Sequence, residues 1–247
     1  MKTALTIAGS DPTTGAGAQS DLHTFAAFGV YGLSAITSLT AQTRSSVKAA
    51  MHTPPAFVTK QITVLLSEFE INAAKIGMTG TAANVVAIGR ILKKQPIAYV
   101  VLDPVMRSTS GYPLIDDAGE KALRKLLPLV TLVTPNLAEA SVFTGLKVRD
   151  VHEMELAATI IHGQGAQYVL IKGGHLKDAA VDILYDGSEY HYFEAPRLKR
   201  QKEELHGTGC LLSAGITAGL AKGAAIQKAV GDAKAYLGKV LEERKRR

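Results

Sequence analysis

The residues best placed to do chemistry in this chain of 247 residues stand at the ends of short apolar runs, each beside glycine or proline. His206-Gly207-Thr208-Gly209-Cys210 sets the single cysteine behind two glycines and at the head of an apolar helical run. Glycine lets backbone come close to a ligand, and the first turn of a helix offers unpaired N–H groups to an anion. A thiol held there is expected to ionise more readily than a free one, which suits acyl transfer or redox chemistry as well as proton transfer. A small buried hydrophobe is the plain alternative for a lone cysteine. Ile171-Lys172-Gly173-Gly174-His175 ends another apolar run in an ammonium, placed either to face phosphates or to reach solvent. Asp103-Pro104-Val105-Met106 delivers a carboxylate that suits Mg²⁺, directly or through water, or else caps a turn. In Thr134-Pro135-Asn136-Leu137-Ala138-Glu139 the Asn and Glu are spaced as a capping box, which is compatible with Glu139 also organising Mg²⁺. A cation, carboxylates for magnesium and a glycine-lined helix start are together what phosphoryl transfer requires.

Positioning these groups calls for an open α/β sheet. Apolar, β-branched runs alternate with longer amphipathic segments along almost the whole chain, the pattern of βαβ units around a mostly parallel sheet with helices on both faces. Strands are expected at Thr3–Ala8, Leu33–Thr40, Ala73–Gly77, Ala98–Asp103, Leu129–Thr134 and Tyr168–Lys172. An extra pair, Val181–Tyr185 and Tyr190–Ala195, reads as a hairpin across Asp186-Gly187-Ser188. Helices fit at about 17–28, 55–69, 81–94, 117–127, 137–143, 151–162, 208–221 and 224–243. Nothing repeats and no Pro/Gly/Ser-rich linker divides the chain, so a single domain over 1–247 is expected. Ligands of a doubly wound sheet sit beyond the carboxyl ends of its strands, where the polar motifs fall.

Composition narrows the function classes. One cysteine excludes an internal disulfide and a cysteine zinc site and fits a reducing compartment. No apolar run is long enough for a membrane span or signal sequence, so a cytoplasmic protein without a membrane partner is expected. Of the net charge of +6, four positive charges lie in Arg244–Arg247, which reads as a solvated helix end rather than a nucleic-acid arm. With no tryptophan and few aromatics among basic residues, a stacking platform for single strands is excluded. The loop Gly9-Ser10-Asp11-Pro12-Thr13-Thr14-Gly15-Ala16-Gly17 lacks the third glycine of a dinucleotide fingerprint, and no Walker-type run occurs.

Seven ordered motifs carry a resemblance over essentially the whole length. They are Ala8-Gly9-Ser10-Asp11-Pro12 with Gly15-Ala16-Gly17, Thr40-Ala41-Gln42, Lys75-Ile76-Gly77-Met78, Asp103-Pro104-Val105-Met106, Thr134-Pro135-Asn136-Leu137-Ala138-Glu139-Ala140, Lys172-Gly173-Gly174-His175 and the cysteine loop. The chain resembles the hydroxymethylpyrimidine/phosphomethylpyrimidine kinases of thiamin biosynthesis, in the ribokinase superfamily. That resemblance implies a ribokinase-like fold, ATP with Mg²⁺ and room for a monovalent cation, a homodimer, and two phosphorylations of 4-amino-5-hydroxymethyl-2-methylpyrimidine, to the monophosphate and then the diphosphate. By the same resemblance Gly9, Asp21, Gln42, Met78 and Val105 form the pyrimidine pocket. Gln42 both donates and accepts toward an aminopyrimidine edge, and Met78 packs on a flat ring. The resemblance also implies that Lys172, Asn136, Thr208 and Gly209 bind ATP, Lys172 at its phosphates, and that Asp103 and Glu139 organise the metal. Cys210 stands where sugar kinases of the superfamily carry an aspartate base; it becomes the candidate base, with the Gly207, Thr208, Gly209 and Cys210 N–H groups as anion hole.

The chain departs from the pattern at Thr43-Arg44-Ser45-Ser46, where asparagine and then glycine are usual, at Leu205 and Leu211, and in the charged stretch Arg197–Glu204. Arg44 reads as a monophosphate contact or a solvated loop residue. A pyridoxine or pyridoxal kinase is the nearest rival, and a non-catalytic vitamin- or nucleotide-binding protein is the rival of another class.

Overall fold

The computed structural model describes residues 1–174, 180–195 and 206–245. His175, Leu205, Arg197–Glu204, Arg246 and Arg247 lie outside them. A single nine-stranded sheet runs in the order β3-β2-β1-β4-β5-β6-β7-β8-β9. Its strands are β1 (Thr3–Ser10), β2 (Tyr31–Gln42), β3 (Val47–His52), β4 (Ala73–Ile76), β5 (Tyr99–Leu102), β6 (Leu132–Val133), β7 (Tyr168–Ile171), β8 (Ala180–Tyr185) and β9 (Tyr190–Ala195). Pairing is parallel from β2 through β7 and antiparallel at both margins, where β3 lies on β2 and β8 and β9 extend β7. The expected mostly parallel, doubly wound α/β sheet is therefore present, and the expected hairpin forms as a continuation of it.

The core strands are apolar on both faces because helices cover both. Along β5, Val100 and Leu102 join one apolar cluster and Val101 the other; β7 divides in the same way, Val169 and Ile171 against Leu170. The first cluster takes residues from α2 (Pro55–Glu68), α3 (Ala82–Lys94), α4 (Asp117–Arg124), α5 (Leu137–Thr144) and α6 (Val151–Gly163). The opposite face is covered by α1 (Gly17–Ala27), α7 (Thr208–Ala221) and α8 (Ile226–Lys245).

β1 has β2 on one side and β4 on the other, so chain direction across the sheet reverses there. Crossovers diverge at such a switch point and leave a crevice above the strand ends. Two register shifts fall beside it, at Ala8/Gly9 in β1 and at Ala41/Gln42 in β2. A bulge re-aims the side chain that carries it.

Three expectations are corrected. β3 was not expected, because Val-Lys-Ala-Ala-Met-His has little apolar alternation; it is recruited by pairing with the long β2. The strand expected from Leu129 is reduced to Leu132–Val133, since Leu127–Leu129 around Pro128 forms a 3₁₀ turn. The end of α8 is not merely solvated: Arg244 Nη1 donates to the carbonyl of His206 at 2.8 Å.

Candidate active site

The start of α7 is fixed by glycine. Gly207 is its N-cap with φ of +76°, and a Cβ there would fall 1.8 Å from the carbonyl oxygen of Gly15. Only glycine tolerates both the left-handed backbone and that approach. The N-cap glycine has no side chain with which to cap the helix, and the first turn holds no acidic residue. The N–H groups of this turn, with the positive end of the helix dipole, meet the requirement for an anion.

Lys172 faces this turn. A Cβ on Gly209 would lie 3.3 Å from Lys172 Nζ and 3.7 Å from Asp103 Oδ2, so the missing side chain leaves a cradle between the helix start and the ion pair. Lys172 follows β7, and its Nζ donates to Asp103 Oδ1 at 2.7 Å. Asp103 follows β5 and is buried; Ser213, one turn into α7, donates to its other oxygen at 3.1 Å. Burial opposes the charge on Asp103, but Lys172 and then Lys75 outweigh it and hold the carboxyl below its ordinary range. Burial works against the Lys172 ammonium too, and Asp103 and Glu139 overcome it, raising Lys172 above its ordinary value.

Asn136 and Glu139 form the expected capping box at the start of α5. The Asn136 side chain accepts the Glu139 N–H at 2.9 Å, and Glu139 Oε2 accepts the Asn136 N–H at 2.8 Å. A parallel bridge sets Asn136 beside Lys172. Burial, with the Asp103 charge added and Lys172 opposing, pushes the Glu139 carboxyl up to about 7. Between its unfolded value near 4.5 and about 7 the folded chain holds a proton that the unfolded chain has released. Glu139 thus contributes stability that is complete below about 4.5 and is lost as pH rises through about 7. Glu139→Gln keeps the capping geometry and removes the titration. Urea unfolding between pH 5 and 8 is expected to show a smaller loss of stability with rising pH in Glu139→Gln than in the parent.

Cys210 occupies the first turn of α7, and here the expectation of easy ionisation is corrected. Burial pushes the thiol up, and the Asp21 and Asp103 carboxylates add to this. Lys75 and the Gly17 N–H offset it in part. A helix start favours a thiolate, but desolvation with two carboxylates in range disfavours it more.

The expected pyrimidine pocket divides. Gly9 and Met78 meet across β1 and β4: a Cβ on Gly9 would lie 2.8 Å from Met78 Sδ, so the glycine makes room for the thioether. Gln42 and Val105 are half-buried at the ends of β2 and β5. Asp21 lies deeper, fully buried, with one oxygen 2.5 Å from Lys75 Nζ and the other accepting the Thr6 hydroxyl at 2.6 Å. It has no exposed surface to offer a ligand and stands behind the thiol.

Sequence reasoning assigned no role to Lys75, Ser213, Asp11 or His206. A lysine inside the apolar strand Ala-Ala-Lys-Ile was a readable signal, since lysine is almost never fully buried unless paired. Asp11 Oδ2 lies 2.8 Å from His206 Nε2 and accepts the Ala16 N–H at 3.0 Å, fastening the glycine loop of β1 to the start of α7. Burial opposes its charge, but His206, Gln42 and Thr13 hold the Asp11 carboxyl well below the usual carboxylate range. Arg44 is exposed, and Leu211 is buried in the packed face of α7.

Comparison with known proteins finds relatives over nearly the whole chain. A hydroxymethylpyrimidine/phosphomethylpyrimidine kinase of Rhizobium meliloti is 46% identical over 237 residues, 95% of this chain and 88% of that protein. The crystal structure of a phosphomethylpyrimidine kinase from Clostridium difficile superposes with a TM-score of 0.87 at 38% identity, over 98% of this chain and 100% of that one. An ADP complex of Bacillus subtilis pyridoxal kinase also gives 0.87 at 38%, over 96% of this chain and 90% of that one. The chain spans about half the length, 48% and 46%, of two longer thiamine-biosynthesis bifunctional proteins that it matches. The phosphomethylpyrimidine kinase family matches residues 11–246, and the chain belongs to that family.

Proposed function

We propose that this protein transfers the γ-phosphoryl group of ATP to the hydroxyl of 4-amino-5-hydroxymethyl-2-methylpyrimidine, and then a second phosphoryl group to the resulting monophosphate. The observation that carries this reading is the glycine-lined start of α7 facing Lys172 across the Gly209 cradle. Donors aimed where charge develops, in a site shielded from water, are the main source of rate in phosphoryl transfer. The Gly207, Thr208, Gly209 and Cys210 N–H groups and Lys172 hold the transferring phosphate, with Asn136 beside them. Gly9, Gln42, Met78 and Val105 seat the pyrimidine, and Asp21 supports the pocket from behind.

In the first transfer the substrate hydroxyl attacks the γ-phosphorus, the bond to the ADP oxygen breaks, and the hydroxyl proton passes to the Cys210 thiolate. In the second, the attacking phosphate oxygen is already anionic and requires no base. Mg²⁺ fits Asp103 and Glu139 through water: among the described residues no trio of His, Cys, Asp and Glu is gathered for direct coordination, and both Asp103 oxygens are engaged. When bound, such an ion neutralises charge on the nucleotide phosphates. The monovalent cation belongs to this reading only through the family resemblance.

The reading includes a single domain acting as a homodimer in the cytoplasm. Leu39 and Met51, paired in register on the edge hairpin of β2 and β3, are 47% and 65% exposed, which supports a second copy as their cover. No described helix is long and apolar enough to cross a membrane. ADP release measured with the pyrimidine alcohol, its monophosphate and pyridoxal in parallel tests the substrate. Turnover is expected with the first two and to be far weaker with pyridoxal; turnover with pyridoxal alone would favour the activity named for the Bacillus subtilis neighbour.

A further inference from the structure

A buried carboxylate and a mostly buried ammonium that belong to none of the site motifs meet behind Lys172. Asp182, on β8, is 7% exposed. Its Oδ1 accepts the Gly173 N–H at 2.9 Å, and its Oδ2 receives Lys234 Nζ, from α8, at 2.8 Å. Lys234 also donates to the carbonyl of Phe193 on β9, so one ammonium ties α8 to both marginal strands.

The β7–β8 ladder ends at Ile171 and Ile183, and Gly173 lies beyond it. On the near side of Lys172, its own N–H donates to the Pro135 carbonyl at 2.8 Å. On the far side, the Gly173 N–H is fixed by Asp182. The peptides on both sides of the phosphate-facing lysine are therefore anchored, one by backbone and one by a buried carboxylate. Stability alone gives little reason for a charged pair there, since apolar residues of similar size commonly replace a buried ion pair without loss. An apolar pair, however, cannot accept the Gly173 N–H, and hydrogen bonds to an ionised carboxylate are the strong ones.

We propose that Asp182, held in place by Lys234, is a positioning residue for Lys172: it fixes the peptide between Lys172 and Gly173 and so aims the ammonium at the start of α7. The inference rests on the nucleotide reading of that site. It is tested by calorimetric titration of Mg²⁺ and a β,γ-methylene ATP analogue into three proteins: the parent, Asp182→Asn, and the double variant Asp182→Leu/Lys234→Met, which replaces the ion pair by an apolar one. Leaving a buried N–H without its acceptor costs enough to expect an affinity about tenfold weaker in the double variant. KM for ATP should rise in parallel, with equal effects on both phosphorylations. Asp182→Asn keeps an acceptor for Gly173 and is expected within about threefold of the parent, despite a lower Tm from the loss of the ion pair with Lys234. A purely structural role would move Tm and leave affinity alone. Parent-like analogue affinity in the double variant overturns the proposal. A parent that binds no analogue overturns the nucleotide reading, and the proposal with it.

Discussion

Cys210→Ala is expected to slow the first phosphorylation by about 10²–10⁴-fold, the range of a lost general base, and the second by less than about tenfold. The difference follows from the acceptors. An alcohol must lose its proton as it attacks, whereas a phosphate oxygen is already an anion. The anion site proposed at the helix start is made of backbone N–H groups and survives the substitution. The raised thiol adds a second signature, because burial and the Asp21 and Asp103 carboxylates keep Cys210 protonated beyond its ordinary range. The first step should accelerate as pH rises above neutrality, as more thiolate forms, while the second stays nearly flat. Rates measured separately with the alcohol and the monophosphate, in the parent and in Cys210→Ala, check both points. Equal loss in the two steps would instead assign Cys210 to shaping the loop.

Lys75→Met is expected to destabilise the fold by about 3–5 kcal/mol, the usual result of removing one partner of a buried ion pair. Lys75 and Asp21 are both fully buried, 2.5 Å apart, and the Thr6 hydroxyl donates to the other Asp21 oxygen. Burial alone would strip the Lys75 proton, but Asp21, with Cys210 and Asp103 behind it, outweighs that and raises the ammonium above its ordinary value. Without Lys75 the Asp21 carboxylate is left in a dry interior beside a thiol. Asp21→Asn added to Lys75→Met removes the stranded charge and should recover much of the loss. Urea unfolding of the single and double variants measures it, and a loss below about 1 kcal/mol in Lys75→Met would place the pair in a wetter environment than the structure describes.

Much of the candidate site was legible because its parts are local in sequence. The capping box of Asn136 and Glu139 is a four-residue pattern, and it forms where that pattern stands. The glycine start of α7 and the strand ends carrying Asp103 and Lys172 are equally local, set by apolar runs that stop at polar or glycine residues. What escaped depends on contacts distant in the chain. β3 exists because β2 overhangs the parallel core and offers an edge, which Val47–His52 alone does not announce. Asp21 sits on the inward side of α1, so a residue expected in the pocket wall became the partner of a buried lysine 54 positions away. The thiol illustrates the same limit: its helix start was readable, but the carboxylates that oppose ionisation arrive from α1 and the end of β5. Asp182 carries no motif, and its hold on Gly173 appears only once β8 lies against β7.

The fate of the γ-phosphate distinguishes phosphoryl transfer from mere nucleotide binding. Purified protein with Mg²⁺, γ-labelled ATP and 4-amino-5-hydroxymethyl-2-methylpyrimidine should yield labelled monophosphate that rises and then declines as labelled diphosphate accumulates, the products being separated by charge over time. ATP left intact, or cleaved with the label released only as inorganic phosphate, would contradict a phosphoryl-transfer site between Lys172 and the start of α7.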